Sequence, residues 1–246
     1  MRRRATALSA LTALALAACS APTEPQETLH VGAAASLHTA FEEIAADYEA
    51  EHPEVTVELQ FAGSSDLAAQ INGGADIDVF ASADEATMDK VADSIAGEPT
   101  IFATNTLTIV TAPGNPKGIR SLADLEEVST TVVTCAPQVP CGHATQRLTE
   151  SRDVFIAAVS EESSVTGVLA KVTSGEADAG IVYVTDAADA GDEVATVPVS
   201  GAEEIVNRYP IAAMTGAPSD AAQDFIDVVT GPQGQRALTD LGFGAP

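Results

Sequence analysis

Between Leu29 and Ala81 the hydrophobic period switches from strand to helix and back twice, and this alternation constrains the fold more than any other feature. Leu29 to Ala34 is apolar and reads as a strand. Leu37, Ala40, Phe41, Ile44, Ala45 and Tyr48 then recur at helical spacing, so a helix is expected from Ser36 to about Ala50, stopped by Pro53. Val55 to Phe61 alternates as a strand, with Val55, Val57 and Leu59 on one face. Gly63-Ser64-Ser65-Asp66 opens a second helix carrying Leu67, Ala68 and Ile71, and Gly73-Gly74 closes it. Asp78 to Ala81 is a short buried strand. A β-α-β-α-β start predicts an open, mostly parallel sheet with helices on both faces.

The pattern then repeats. Strands are expected at Leu107–Thr111, Thr131–Thr134, Ala179–Val184, Val194–Val199 and Tyr209–Met214. Helices are expected at Cys141 to about Thr149, Ser164 to about Ser174, Ser219–Thr230 and Gln233–Leu241. Two α/β sets in one chain suggest two lobes, with ligands bound in the cleft outside the strand ends.

Small hydroxyl residues stand where strands give way to helices: Ser36 in AAASL, and Ser64 and Ser65 in FAGSSDL. Such positions expose unpaired backbone N–H groups and the positive end of a helix dipole, with a serine hydroxyl as a further donor. They bind an oxyanion without any cationic side chain. Serine is also a preferred helix N-cap. The two roles are compatible, and spacing alone does not separate them.

The N-terminus reads as an export signal. Arg2-Arg3-Arg4 precede an uncharged Ala/Leu-rich stretch too short to remain as a membrane span, ending in Leu16-Ala17-Ala18-Cys19. That ending resembles a lipobox, in which Cys19 takes the lipid and residues 1–18 are removed; an ordinary secretory signal is the alternative. Residues 19–28 are polar and Pro-rich and read as a tether. Export places Cys135 and Cys141 in an oxidising compartment, where a disulfide is the expected state, typically worth about 2–4 kcal/mol. A structural metal is the weaker reading, because His143 is the only nitrogen ligand nearby. The formal net charge of −25 argues against nucleic acid, since few cations are available to replace phosphate counterions. Any anion bound here is held locally, against the global field.

Three blocks together carry a family resemblance: Val31-Gly32-Ala33-Ala34-Ala35-Ser36-Leu37, Phe61 to Ile71 (FAGSSDLAAQI) and Gly74 to Asp84 (GADIDVFASAD). With Gly180-Ile181-Val182-Tyr183, Tyr209-Pro210-Ile211-Ala212 and Gly231-Pro232-Gln233-Gly234, they resemble the molybdate-binding (ModA-type) solute receptors of ABC transporters, from about Leu29 to Phe243. The resemblance implies a two-lobed α/β fold of the type II periplasmic-binding-protein class. It implies a lobe of residues 29–104 plus 208–246, a second lobe of residues 105–207, and two chain crossings between them. It implies capture of molybdate or tungstate outside the cell membrane, with no enzymatic activity and no cofactor. The implied partners are a membrane permease driven by a cytoplasmic ATPase, and the membrane itself through lipid on Cys19, with the protein a monomer. The family's oxyanion contacts carry over to the hydroxyls of Ser36, Ser64 and Tyr183 and to the backbone amides of Cys141 and Val165. Cys141 stands where an Ala-like residue is expected, a change that a backbone contact tolerates.

Three other functions would leave different marks on the sequence. A receptor for sulfate or phosphate would use the same fold and donors, and for phosphate Asp66 would be a candidate acceptor of the ligand's proton. A secreted serine-type hydrolase would need a Ser-His pair; His38 and His143 lie near the expected cleft, but there is no G-x-S-x-G motif. A metal-cation receptor would want clustered histidines and carboxylates or paired tyrosines, whereas the four histidines and three tyrosines are scattered.

Overall fold

The structure, a computed structural model, describes residues 27–246. The signal, Cys19 and most of the tether lie outside the described residues.

In chain order the elements are β1 (Glu27–Ala34), α1 (His38–Glu51), β2 (Val55–Ala62), α2 (Ser64–Asn72), β3 (Val79–Ala81), α3 (Glu85–Met88), β4 (Ile95–Asn105) and β5 (Leu107–Thr111). There follow β6 (Val132–Cys135), α4 (Pro140–Arg152), β7 (Ser160–Glu162), α5 (Val165–Thr173), β8 (Ala179–Tyr183) and α6 (Val184–Ala190). The chain ends with β9 (Ala195–Val197), β10 (Asn207–Met214), α7 (Ser219–Thr230) and α8 (Pro232–Asp240). β1 begins two residues inside the segment read as tether. The first helix is delayed, because Ala35–Leu37 forms a 3-10 turn before α1.

The strands form two sheets of one design, ordered β2-β1-β3-β10-β4 and β7-β6-β8-β5-β9. In each, the first three strands are parallel and the fourth pairs antiparallel with both neighbours. Four strands of each sheet therefore share a direction and one opposes them. The opposing strands, β5 and β10, are each the first strand laid down after the chain passes from one sheet to the other.

Both faces of the first sheet are covered, which explains its continuous apolar strands. In β3, Val79 and Ala81 point to the core beneath α1, α7 and α8, with Phe41, Phe102 and Phe225. Phe80 points the other way, into a separate cluster with Leu67, Ile71 and Met88 beneath α2 and α3. Period two thus sorts neighbouring residues into two cores. In the second lobe α4 and α5 pack against β6 and β8, and α6 against β5 and β8.

Several elements are absent from the sequence reading: α3, β4, β7 and α6. β4 has Gly97 at φ +88°, carries Pro99, is exposed over its first half, and pairs with β10 through two register shifts. Pro is tolerated there because β4 is an edge strand.

Candidate oxyanion site

The C-terminal ends of β1, β2 and β3 face those of β6, β7 and β8 across the cleft between the lobes. The loops that leave these ends line a small, partly open cavity of about 20 Å³. Ser36, Ser64, Cys141, Val165 and Tyr183 all line it. The remaining lining residues are Ala, Gly, Val, Pro and Ser, and among the described residues no charged side chain lines it.

Three helices begin at this cavity. α2 starts at Ser64, α4 at Pro140 and α5 at Val165. First-turn amides have no partner within their helix, and the local caps use only some of them. Gly63 O accepts from Asp66 and Leu67, leaving Ser64 and Ser65 at the start of α2. Val139 O accepts from His143, and Pro140 has no N–H, so Cys141 carries the first amide of α4. Ser164 takes Gly167 N–H on its hydroxyl and Val168 N–H on its carbonyl, leaving Val165 at the start of α5. Three positive dipole ends thus converge.

The hydroxyls are held by bonds that set their direction. Ser64 is buried, and its Oγ accepts Ala83 N–H at 3.0 Å, so its own proton is free for a ligand. Tyr183 OH accepts from Asn207 Nδ2 at 2.9 Å. Ser36 Oγ lies 3.0 Å from Tyr209 OH, which accepts from Asn105 Nδ2 at 3.4 Å. Asn105, Tyr209 and Ser36 thus form one hydrogen-bonded chain that ends at the cavity. Burial pushes the Tyr183 hydroxyl well above its ordinary pKa, with Tyr209, Asp84 and Asp186 adding to the effect. Tyr209 is raised likewise, by burial and then by Asp186. Both phenols therefore stay protonated.

The loop before α4 is closed by a disulfide between Cys135 and Cys141, both buried, with Cα atoms 5.7 Å apart. The structural-metal reading of these cysteines is thereby set aside.

The other expected candidates fall elsewhere. Asp66 is exposed and does not line the cavity. His38 is exposed on α1 beside Glu42, and His143 is exposed beside Asp84. The Ser36 and Ser64 hydroxyls bond Tyr209 and Ala83 rather than a histidine. Among the described residues the one grouping of metal-ligand types is His30, Asp76 and Asp78, where β3 begins, at the end of the first sheet away from the cavity. A larger cavity of about 580 Å³ adjoins Ser36, but Asp186, Asp189 and Asp240 line it, which is the wrong chemistry for an anion.

The sequence alone does not mark Tyr209, Asn105 and Asn207 as site residues. A lone Asn beside a strand reads as a turn residue, and a Tyr within one reads as core.

Residues 29–244 match the family model described as bacterial extracellular solute-binding protein. The chain belongs to that family. This solute-binding protein is 48% identical over 228 residues to "Molybdate-binding protein ModA" of Mycobacterium tuberculosis, covering 92% of this chain and 87% of that one. The fold matches the periplasmic molybdate-binding protein of Azotobacter vinelandii, with a TM-score of 0.74 and 20% identity, over 89% of this chain and 99% of that one. It also matches the sulfate-binding protein SubI of Mycobacterium tuberculosis, with a TM-score of 0.75 and 18% identity, over 88% and 86% of the two chains. The shared fold therefore does not choose between anions. These relatives are solute-binding proteins, and the family is extracytoplasmic.

Proposed function

We propose that this protein captures molybdate or tungstate outside the cell membrane and hands it to the permease of an ABC importer. The observation that carries the reading is a small cavity at three helix starts without a charged side chain. Ser36, Ser64, Tyr183, Cys141 and Val165 line one small volume with no carboxylate among its lining residues, and the three hydroxyls and the two backbone amides are the proposed donors. Ser36 and Ser64 come from the first lobe and the other three from the second.

A site of donors suits a fully deprotonated tetrahedral dianion. Protonated phosphate brings a hydroxyl that needs an acceptor, and none of the lining side chains is a carboxylate. Sulfate satisfies the same donors but is smaller, so some of its hydrogen bonds would be stretched. The 48% identity to a protein named for molybdate favours the larger anion. No ion pair has to be broken for release, which suits a carrier that must give up its cargo.

In this reading Cys19 carries the lipid that holds the protein at the outer face of the membrane. Residues 29–104 with 208–246 form one lobe and residues 105–207 the other, and the protein acts as a monomer without enzymatic activity or cofactor.

Isothermal titration with molybdate, tungstate, sulfate and phosphate, repeated on Ser64→Ala, tests the proposal. Tight binding of the first two, little response to the others and a loss in the variant are expected. Preference for sulfate or phosphate would overturn the ligand, and silence with all four would overturn the receptor reading.

A further inference from the structure

Beside the anion cavity, but not lining it, three groups meet across the cleft. Ser65 Oγ, on α2, donates to the backbone carbonyl of Gln138 at 2.8 Å. Lys90 Nζ donates to the same carbonyl at 3.2 Å and to Ser65 Oγ at 3.3 Å. Ser65 and Lys90 belong to the first lobe and Gln138 to the second. Gln138 sits inside the loop that the Cys135–Cys141 disulfide closes. Lys90 lies in the 3-10 turn Asp89–Ser94, and Asn72 Nδ2 fastens the carbonyl of Lys90 to the end of α2 at 3.0 Å. The donors thus stand on a braced unit and the acceptor on a cross-linked loop. Close by, the lobes touch backbone to backbone, because a side-chain carbon at Gly63 would run into the carbonyl oxygen of Ser163.

We propose that Ser65, Lys90 and the Gln138 carbonyl form a clasp that holds the lobes shut and sets the rate of anion release. This rests on the receptor reading above. None of the three lines the cavity, so they act on the closed state rather than on the ligand. The clasp and the anion share one structural part: the disulfide loop offers the Gln138 carbonyl to the first lobe and the Cys141 amide to the cavity. Closing the clasp therefore seats an anion donor, and the bound anion holds the clasp closed. Lys90 is one of few cations in a chain of net charge −25, and here its charge strengthens a cross-cleft hydrogen bond. Interface contacts of this kind act mainly on dissociation.

The test is stopped-flow association and displacement with molybdate, on the purified protein and on Lys90→Met, Lys90→Arg, the Ser65→Ala/Lys90→Met pair and Lys117→Met. Lys117 pairs with Asp178 in the second lobe, away from the cleft, and controls for loss of a positive charge. Release should quicken about 10-fold in Lys90→Met and further in the pair, with association changing much less. Lys90→Arg should recover most of the slow release, and Lys117→Met should match wild type. Ser65, Lys90 and Lys117 are all at least partly exposed, and thermal melting checks that the variants fold. Unchanged release in the double variant, with Ser64→Ala still abolishing binding, overturns the clasp and leaves the receptor reading intact. If wild type binds no anion, the receptor reading fails by itself. Inter-lobe distances from paired spin labels then judge the clasp: wider separation in the double variant supports it, and unchanged separation overturns it.

Discussion

Asn207 donates its side-chain amide to the Tyr183 hydroxyl at 2.9 Å, and this bond decides which way the tyrosine's own proton points. The same amide also bonds Ala83 O at 3.0 Å, so the asparagine is held from two sides and its orientation is not free to reverse. With that oxygen already accepting, the phenol, which lines the cavity, can give its proton to an anion bound there. Tyr183→Phe should weaken anion binding about 10- to 100-fold, the usual worth of a hydrogen bond to a charged group. Asn207→Asp should weaken it comparably although Tyr183 is untouched, because a carboxylate accepts the phenolic proton and turns it away from the ligand. Isothermal titration reads both, and wild-type affinity in Asn207→Asp would falsify the directional argument.

The disulfide at Cys135–Cys141 closes a loop with a sequence separation of 6. Chain entropy for so small a loop gives about 2 kcal/mol of stability. Replacing both cysteines by serine should lower stability by roughly that amount. It should also weaken anion binding, since the Cys141 amide then sits on an unrestrained loop. Urea unfolding and titration, each with and without reductant, check this. Reductant should move wild type toward the variant and leave the variant unchanged.

Gly142 packs under the same loop. A side-chain carbon there would run into the carbonyl of Ala136, with the carbonyl of Cys135 also within 2.8 Å. The obstacle is backbone inside a cross-linked ring, so it has little freedom to move away. Gly142→Ala should cost about 1–3 kcal/mol, the usual range for forcing a methyl into filled space. It should also depress anion affinity by displacing the start of α4. Calorimetric melting and titration on the one variant measure both effects, and an unchanged melting temperature contradicts the packing argument.

How much of this was legible in the sequence varies by element. β1-α1-β2-α2-β3 could be read because both faces of that sheet are covered and its helices carry clear 3.6-residue patterns. Ser36 and Ser64 stand out at strand-to-helix junctions, but spacing alone does not separate a helix cap from an anion donor; the family resemblance makes that distinction, and the structure brings both residues to the cavity. β4 escaped because Gly97 and Pro99 interrupt it and its first half faces solvent. α6 escaped because it follows β8 without a loop, so Val184 looked like the last residue of the strand. Asn105, Asn207 and Tyr209 escaped for another reason. Their role is to orient other donors, and it depends on which side chain lies opposite after the chain crosses between the sheets. The Ser36–Tyr209 pair is separated by 173 residues, a relation that no local pattern carries.

Asp186 makes the protein's stability depend on pH. It follows Tyr183 by three residues, is buried, and accepts the Tyr183 backbone N–H at 3.1 Å. Burial pushes its carboxyl from 3.8 up to about 7; Asp189 adds to the rise, and the bond from Tyr183 opposes it. An acid raised on folding keeps a proton that the unfolded chain has already lost. Between about pH 4 and pH 7 the folded state therefore binds more protons, and stability falls as pH rises through that window. The contribution is fully present below the unfolded value and is gone above the folded one. Asp186→Asn keeps an oxygen to accept the Tyr183 N–H but cannot ionise. The variant should be more stable than wild type at pH 8, by up to a few kcal/mol, and the advantage should shrink to near zero at pH 4. Urea unfolding of both proteins at pH 4.5, 6 and 8 measures the difference. A gap that stays constant across the three would mean that Asp186 is ionised throughout.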